Sequence, residues 1–243
     1  MKHSITYITA VLLAFAPAAH ADTLIDGARQ CTQYFPIKER THAIPVHLLA
    51  AISSIETGRY HKGLGMPLPW PWTINVEGQG HFYDSKAEAI AETSRYLRMG
   101  KRSIDVGCMQ VNLKHHPRAF ANLNDAFDPE KNVDYAARFL KDNYADLGNS
   151  WVKAAAAYHS RTPSRGNPYL QKVAVAWQRI VTKVQQAQSR SGVQANAPVA
   201  AEPTPAKPMN RLASTQNVRV ISVGSSTPAR DPVMVVKGGQ SQR

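Results

Sequence analysis

Three short segments hold most of the chemical capacity of this chain. Residues 50–58 read Ala-Ala-Ile-Ser-Ser-Ile-Glu-Thr-Gly and place one carboxyl, Glu56, at the end of an apolar run. Residues 105–112 read Asp-Val-Gly-Cys-Met-Gln-Val-Asn, and residues 155–160 read Ala-Ala-Ala-Tyr-His-Ser. A carboxyl taken out of water favours its neutral form, and a neutral carboxyl near pH 7 can protonate a leaving oxygen. Taken alone, Glu56 is an ordinary solvated carboxylate at a helix end. It becomes a candidate acid only in the company of the other two segments.

Those segments need elements to position them, and the pattern between residues 22 and 185 is mainly helical. Leu24, Ala28 and Cys31 sit at helical spacing, which predicts a first helix over 23–35. Pro45 suits a first helical turn, so a second helix is expected from there to Glu56, with Leu48, Ile52 and Ile55 as its apolar stripe. Residues 60–83 are rich in Gly and Pro and read as irregular, with a small hairpin pairing 73–76 with 81–83. Ser85 and Glu88 stand in capping-box spacing ahead of a helix that stops at Gly100. Asp128-Pro129 opens a helix with Val133, Ala136, Ala137, Leu140 and Tyr144 inward. Ser150 caps the next one, and Asn167-Pro168 opens the last, whose apolar face is Tyr169, Val173, Trp177, Ile180 and Val184.

In order and spacing, the three segments resemble the lytic transglycosylases that carry a soluble-lytic-transglycosylase domain. That family shows a helix ending in Glu-Ser-Gly, then Gly-Leu-Met-Gln-hydrophobic-Asn, then Ala-Tyr-Asn, and the resemblance covers residues 28–180. It implies a mainly α, lysozyme-like domain and cleavage of peptidoglycan glycan strands, without a cofactor or metal. It casts Glu56 as general acid and base, and Tyr158 as the tyrosine that hydrogen-bonds near it. Gln110 and Asn112 would line the cleft, Asn112 alternatively serving as a cap. Met109 and Thr57 are further candidates for substrate contact, Met109 being more often a packing residue. Thr57 stands for the usual Ser and keeps a hydroxyl, Cys108 stands for Leu, and His159 stands for Asn, which leaves its role open. The long stretch between Glu56 and Gly107 carries Pro-Trp-Pro-Trp and resembles the wall-opening variants attached to conjugation or secretion machines. Trp70 and Trp72 either stack on sugar rings or pin this loop to the core.

The chain ends set the context. Lys2 and His3, an apolar run from Ile5 to Ala16, and Ala19-His20-Ala21 read as a secretory signal peptide over 1–21, cleaved after Ala21. The product would be periplasmic, with no stable membrane insertion. An oxidising compartment permits a disulfide between Cys31 and Cys108, the alternative being two buried thiols. Residues 186–243 are basic and rich in Pro, Ser and Gln; they read as a disordered tail, through which an envelope-spanning machine would recruit the enzyme. The net charge of +12 suits a polyanionic partner, for which wall peptides and envelope polymers fit an exported protein better than nucleic acid.

Other chemistries lack their residues. No His-Glu-x-x-His, paired Cys-x-x-Cys or phosphate loop occurs, and His115-His116 reads as a solvated pair. A hydrolytic muramidase would need a second carboxylate across the cleft, for which Glu77, Asp84 and Asp105 are uncommitted. Asp105 either orients the second segment or pairs with Arg102. A non-catalytic wall-binding module is the remaining rival, and it predicts loss of the acid that Glu56 supplies.

Overall fold

The computed structural model describes residues 22–195. The expected signal peptide at 1–21 and the tail from 196 onward lie outside the described residues. The expected mainly α architecture is present, with two small antiparallel sheets inserted between helices.

The described residues open with helices α1 (Thr23–Thr32) and α2 (Phe35–His42), not with one helix over 23–35. Pro36 explains the break: it has no N–H to continue a helix, and it sits instead in the first turn of α2. Helix α3 spans Leu48–Glu56 and does not begin at Pro45. A turn closed by Leu48 N–H on the Pro45 carbonyl (3.0 Å) precedes it, with His47 at φ 69°. The cap comes from a distance. The Glu39 carboxylate of α2 accepts hydrogen bonds from the backbone N–H groups of His47 and Leu49, both at 2.9 Å. Burial pushes the Glu39 carboxyl up to about 7, against the pull of these backbone donors. Helix α3 is buried around most of its circumference, as its run of Leu, Ala and Ile requires, and it packs against the last helix.

After α3 come β1 (Arg59–His61) and β2 (Met66–Leu68), a two-stranded sheet in the stretch expected to be irregular. The second sheet has the order β4-β3-β5-β6. Its hairpin of β3 (Thr73–Val76) and β4 (Gln79–Phe82) is the expected one with a tighter turn. Glu77 and Gly78 both take positive φ, 51° and 95°, as a two-residue hairpin loop demands. Strands β5 (Ile104–Val106) and β6 (Val111–Asn112) are too short for alternation to reveal them. Between the hairpin and β5 lies α4 (Lys86–Arg98). The Ser85 hydroxyl accepts from Glu88 N–H, the Glu88 carboxylate accepts from Asp84 N–H, and Gly100 ends the helix at φ 83°.

Helices α5 (Leu123–Ala126), α6 (Pro129–Asp146) and α7 (Trp151–His159) follow, α6 and α7 capped by Asp128 and Ser150 as expected. Helix α8 spans Pro163–Ala195. It starts five residues before the expected Pro168, because Pro163 already fills the first-turn position; Pro168 lies inside the helix. It also runs ten residues past the expected domain edge at 185. No helix of the described residues is long and apolar enough to cross a membrane.

Two cores result. The helical core gathers Leu48, Leu49, Ile52, Val133, Leu140, Val173 and Trp177, and the Cys31–Cys108 disulfide crosses it. The sheet core gathers Trp70, Trp72, Ile74, Ile104, Val106 and Phe127. Glu39→Ala removes the carboxylate that caps α3 and leaves backbone N–H groups there without it, so it should destabilise the domain by about 2–4 kcal/mol in urea unfolding. Reduction of the disulfide, which links residues 77 positions apart, should cost about 4 kcal/mol by loop entropy, read as a lower urea midpoint in dithiothreitol.

Candidate active site

The two cores face each other across a cleft of about 730 Å³, and Glu56 lies in its wall. The sheet side contributes Asn75, Asp105 and Asn112, which stand in cross-strand register on β3, β5 and β6. Their neighbours one position along, Ile74, Val106 and Val111, are buried. Period-two alternation thus turns one row of the sheet into a polar strip along the cleft. The opposite wall holds Tyr135 and Phe139 of α6, and Tyr158 and His159 of α7.

Glu56 is the last residue of α3, where the helix dipole already disfavours a negative charge. Burial raises its pKa to about 7, opposed by a hydrogen bond from Tyr169 and reinforced by the negative charge of Asp105. The Tyr169 hydroxyl donates to Glu56 Oε1 at 2.6 Å. Tyr169 comes from α8, where the sequence pattern shows it only as part of an apolar helix face, and it is the tyrosine that touches the carboxyl. Its signal was a phenol on a buried stripe, which must find a partner for its O–H. Tyr158, expected at that carboxyl, lines the cleft but donates to the Met109 carbonyl at 2.8 Å.

The second segment forms a turn that is clamped from all sides. Gly107 adopts φ 78°, and a Cβ there would meet the Asn132 amide at 2.5 Å. Asn132, fully buried on α6, accepts from Met109 N–H and donates to the carbonyls of Val106 and Ala126. Ser53 and Thr57 donate to the Cys108 carbonyl at 2.7 and 3.2 Å. The turn sends Gln110 into the cleft at φ 49°, with its amide donating to the carbonyls of Thr73 and Gly107. Asn112 also lines the cleft. Its amide nitrogen donates to Asp105 at 2.7 Å, and its oxygen caps the backbone of Lys114 and His115.

Several expected contacts lie elsewhere. Thr57 is buried, ties the turn to Trp70 N–H and is not part of the cleft wall. Met109 is buried in the helical core. Trp70 and Trp72 are 6% and 8% exposed and belong to the sheet core, which takes the pinning role over sugar stacking. The Trp70 ring lies where a Cβ on Gly27 would sit, its N–H donates to Tyr83, and Arg59 stacks on it. Among the three uncommitted carboxylates, Asp105 lines the cleft. Glu77 pairs instead with Lys101, and Asp84 is absent from the wall. Arg102 donates to the Leu97 carbonyl, and Asp105 is held by Asn112. His116 is not a free solvated group: its ring bonds the Tyr135 hydroxyl at 2.9 Å and packs edge-on against Phe139. The described residues contain no cluster of three or more metal-ligating side chains.

Residues 84–171 match the family model described as Transglycosylase SLT domain, a stretch that holds the clamped turn, Tyr158 and Tyr169 but begins after Glu56. Over those residues, which are less than half of the chain, the protein is similar to a transglycosylase SLT domain, and the described residues around the match are mainly helical. No curated protein and no solved structure matches it.

A reaction that used Glu56 as its acid would need the carboxyl protonated, so its rate should hold below about pH 7 and fall as pH rises through the Glu56 pKa of about 7. Tyr169→Phe removes a bond to the charged form and should move that basic limb upward. Asp105→Asn removes a neighbouring negative charge and should move it downward. A pH–rate series on the three proteins checks both directions.

Proposed function

We propose that this protein is a peptidoglycan lytic transglycosylase that cleaves the MurNAc–GlcNAc β-1,4 linkage with Glu56 as sole acid and base. The observation that carries the reading is the protonatable Glu56 carboxyl, buried in the cleft wall and held by Tyr169 at 2.6 Å. In the first step, the Glu56 proton passes to the glycosidic oxygen as the bond to the anomeric carbon breaks. The substrate's N-acetyl oxygen stabilises the cationic centre, so no protein nucleophile is required. The resulting Glu56 carboxylate then takes the proton of the sugar's own 6-hydroxyl, whose oxygen closes the 1,6-anhydro ring on the anomeric carbon. Glu56 ends as it began, protonated, and no water enters the products. Gln110, Asn112 and Asn75 supply polar contacts for the strand. The same proposal makes the enzyme an exported, periplasmic one, with residues 196–243 as the segment an envelope-spanning machine would engage.

Asp105 supports a second reading. It is a carboxylate in the same cleft, close enough to raise the Glu56 pKa, and a muramidase that uses water would need such a partner. Product analysis separates the two. Mass spectrometry of peptidoglycan digested by residues 22–243 should show anhydro-muropeptides, and Glu56→Gln should yield none while its circular dichroism stays native. Reducing-end products would establish the hydrolase, and Asp105→Asn would then abolish turnover. Full activity in Glu56→Gln would remove Glu56 from the chemistry.

A further inference from the structure

His159 occupies the place where the family pattern has Asn. It is the last residue of α7, exposed, and part of the cleft wall. Its imidazole lies almost parallel to the Tyr169 ring, with centroids 4.8 Å apart and planes 12° from one another. Tyr169 in turn is buried and delivers its hydroxyl to Glu56 at 2.6 Å. The three residues come from three helices, α7, α8 and α3. Tyr169 is packed into the helical core from behind, and His159 covers one face of its ring. A phenol has two torsions, and a hydrogen bond of this length requires both to be fixed. The stack restrains the ring where the core does not. Asparagine has no ring to do this.

We propose that His159 is a positioning residue, whose ring holds Tyr169 against Glu56 and so keeps the acid in its reactive geometry. This rests on Glu56 being the acid. The titratable and charged groups that line the same cleft are Glu56, Asp105, His115, the His116–Tyr135 pair, Tyr158 and Arg161, with Tyr169 beneath the His159 ring, and a positive charge on His115 or His159 favours the Asp105 carboxylate. Charge and stacking must therefore be separated, which a phenylalanine does: it keeps the flat ring and drops the titrating nitrogens.

The experiment is steady-state turnover of soluble glycan strands by the full mature chain carrying His159→Ala, His159→Phe or Glu56→Gln. His159→Ala should lower kcat about 2–10-fold, the span expected for one aromatic pair, with KM within about twofold of native because a positioning residue acts on the chemical step. The basic limb of its pH profile should move up, since a loosened Tyr169 stabilises the Glu56 carboxylate less. His159→Phe should recover most of kcat and return the limb. Unchanged kcat in His159→Ala overturns the proposal, as does a rise in KM alone, which would make His159 a sugar contact. Failure of Phe to rescue also overturns it, by assigning the effect to charge. If Glu56→Gln is inactive and His159→Ala is native-like, this inference alone fails; if Glu56→Gln is active, the general-acid reading fails beneath it.

Discussion

The structure depends on one buried turn, residues 107–110. It passes between the helical core and the sheet core, where unpaired backbone polar groups would cost about 1–3 kcal/mol each. Side chains from distant parts of the chain satisfy them. Asn132 takes Met109 N–H, Ser53 and Thr57 reach the Cys108 carbonyl, and Tyr158 reaches the Met109 carbonyl. The disulfide to Cys31 fixes the same turn to α1. Satisfying this turn joins α3, α6 and α7 to the sheet and aligns both walls of the cleft. Ser53 and Thr57, beside Glu56 along the chain, tie the scaffold together, and so does the Tyr158 hydroxyl.

With the turn fixed, the site is a balance of opposing electrostatic effects on Glu56. Desolvation, the helix C-terminus and the charge of Asp105 favour the neutral carboxyl; the Tyr169 hydroxyl favours the anion. The result near pH 7 suits a group that must first give a proton and then take one back. Glu39 is the contrasting case in the same chain. It too is buried with a raised pKa, but its oxygens are spent on the N-terminal N–H groups of α3 and it faces no part of the cleft that holds Glu56. A raised pKa marks both residues, and only position distinguishes the proposed acid from the cap.

Local signals in the sequence were read correctly where a single side chain meets its own backbone. Ser85, Asp128 and Ser150 cap the helices they were expected to cap, and Gly78 closes the expected hairpin. Signals failed where a distant group supplied the partner. Pro45 looked like a helix start, but Glu39 moves that start to Leu48. Pro168 looked like another start, and there the reason is local: Pro163, earlier in the same helix, already fills the first turn.

The sequence by itself determined the helical class and placed Glu56 at the end of an apolar helix, because periodicity and caps are short-range; the three segments stood out by their resemblance to a family pattern. Only the tertiary structure decided which tyrosine touches that carboxyl, that Trp70 and Trp72 are core residues, that Asp105 alone among the candidate carboxylates shares the cleft, and that His159 lies on Tyr169. Each of these is a contact across more than one element, set by how the two cores pack together. Spacing along a chain carries no record of which faces will meet.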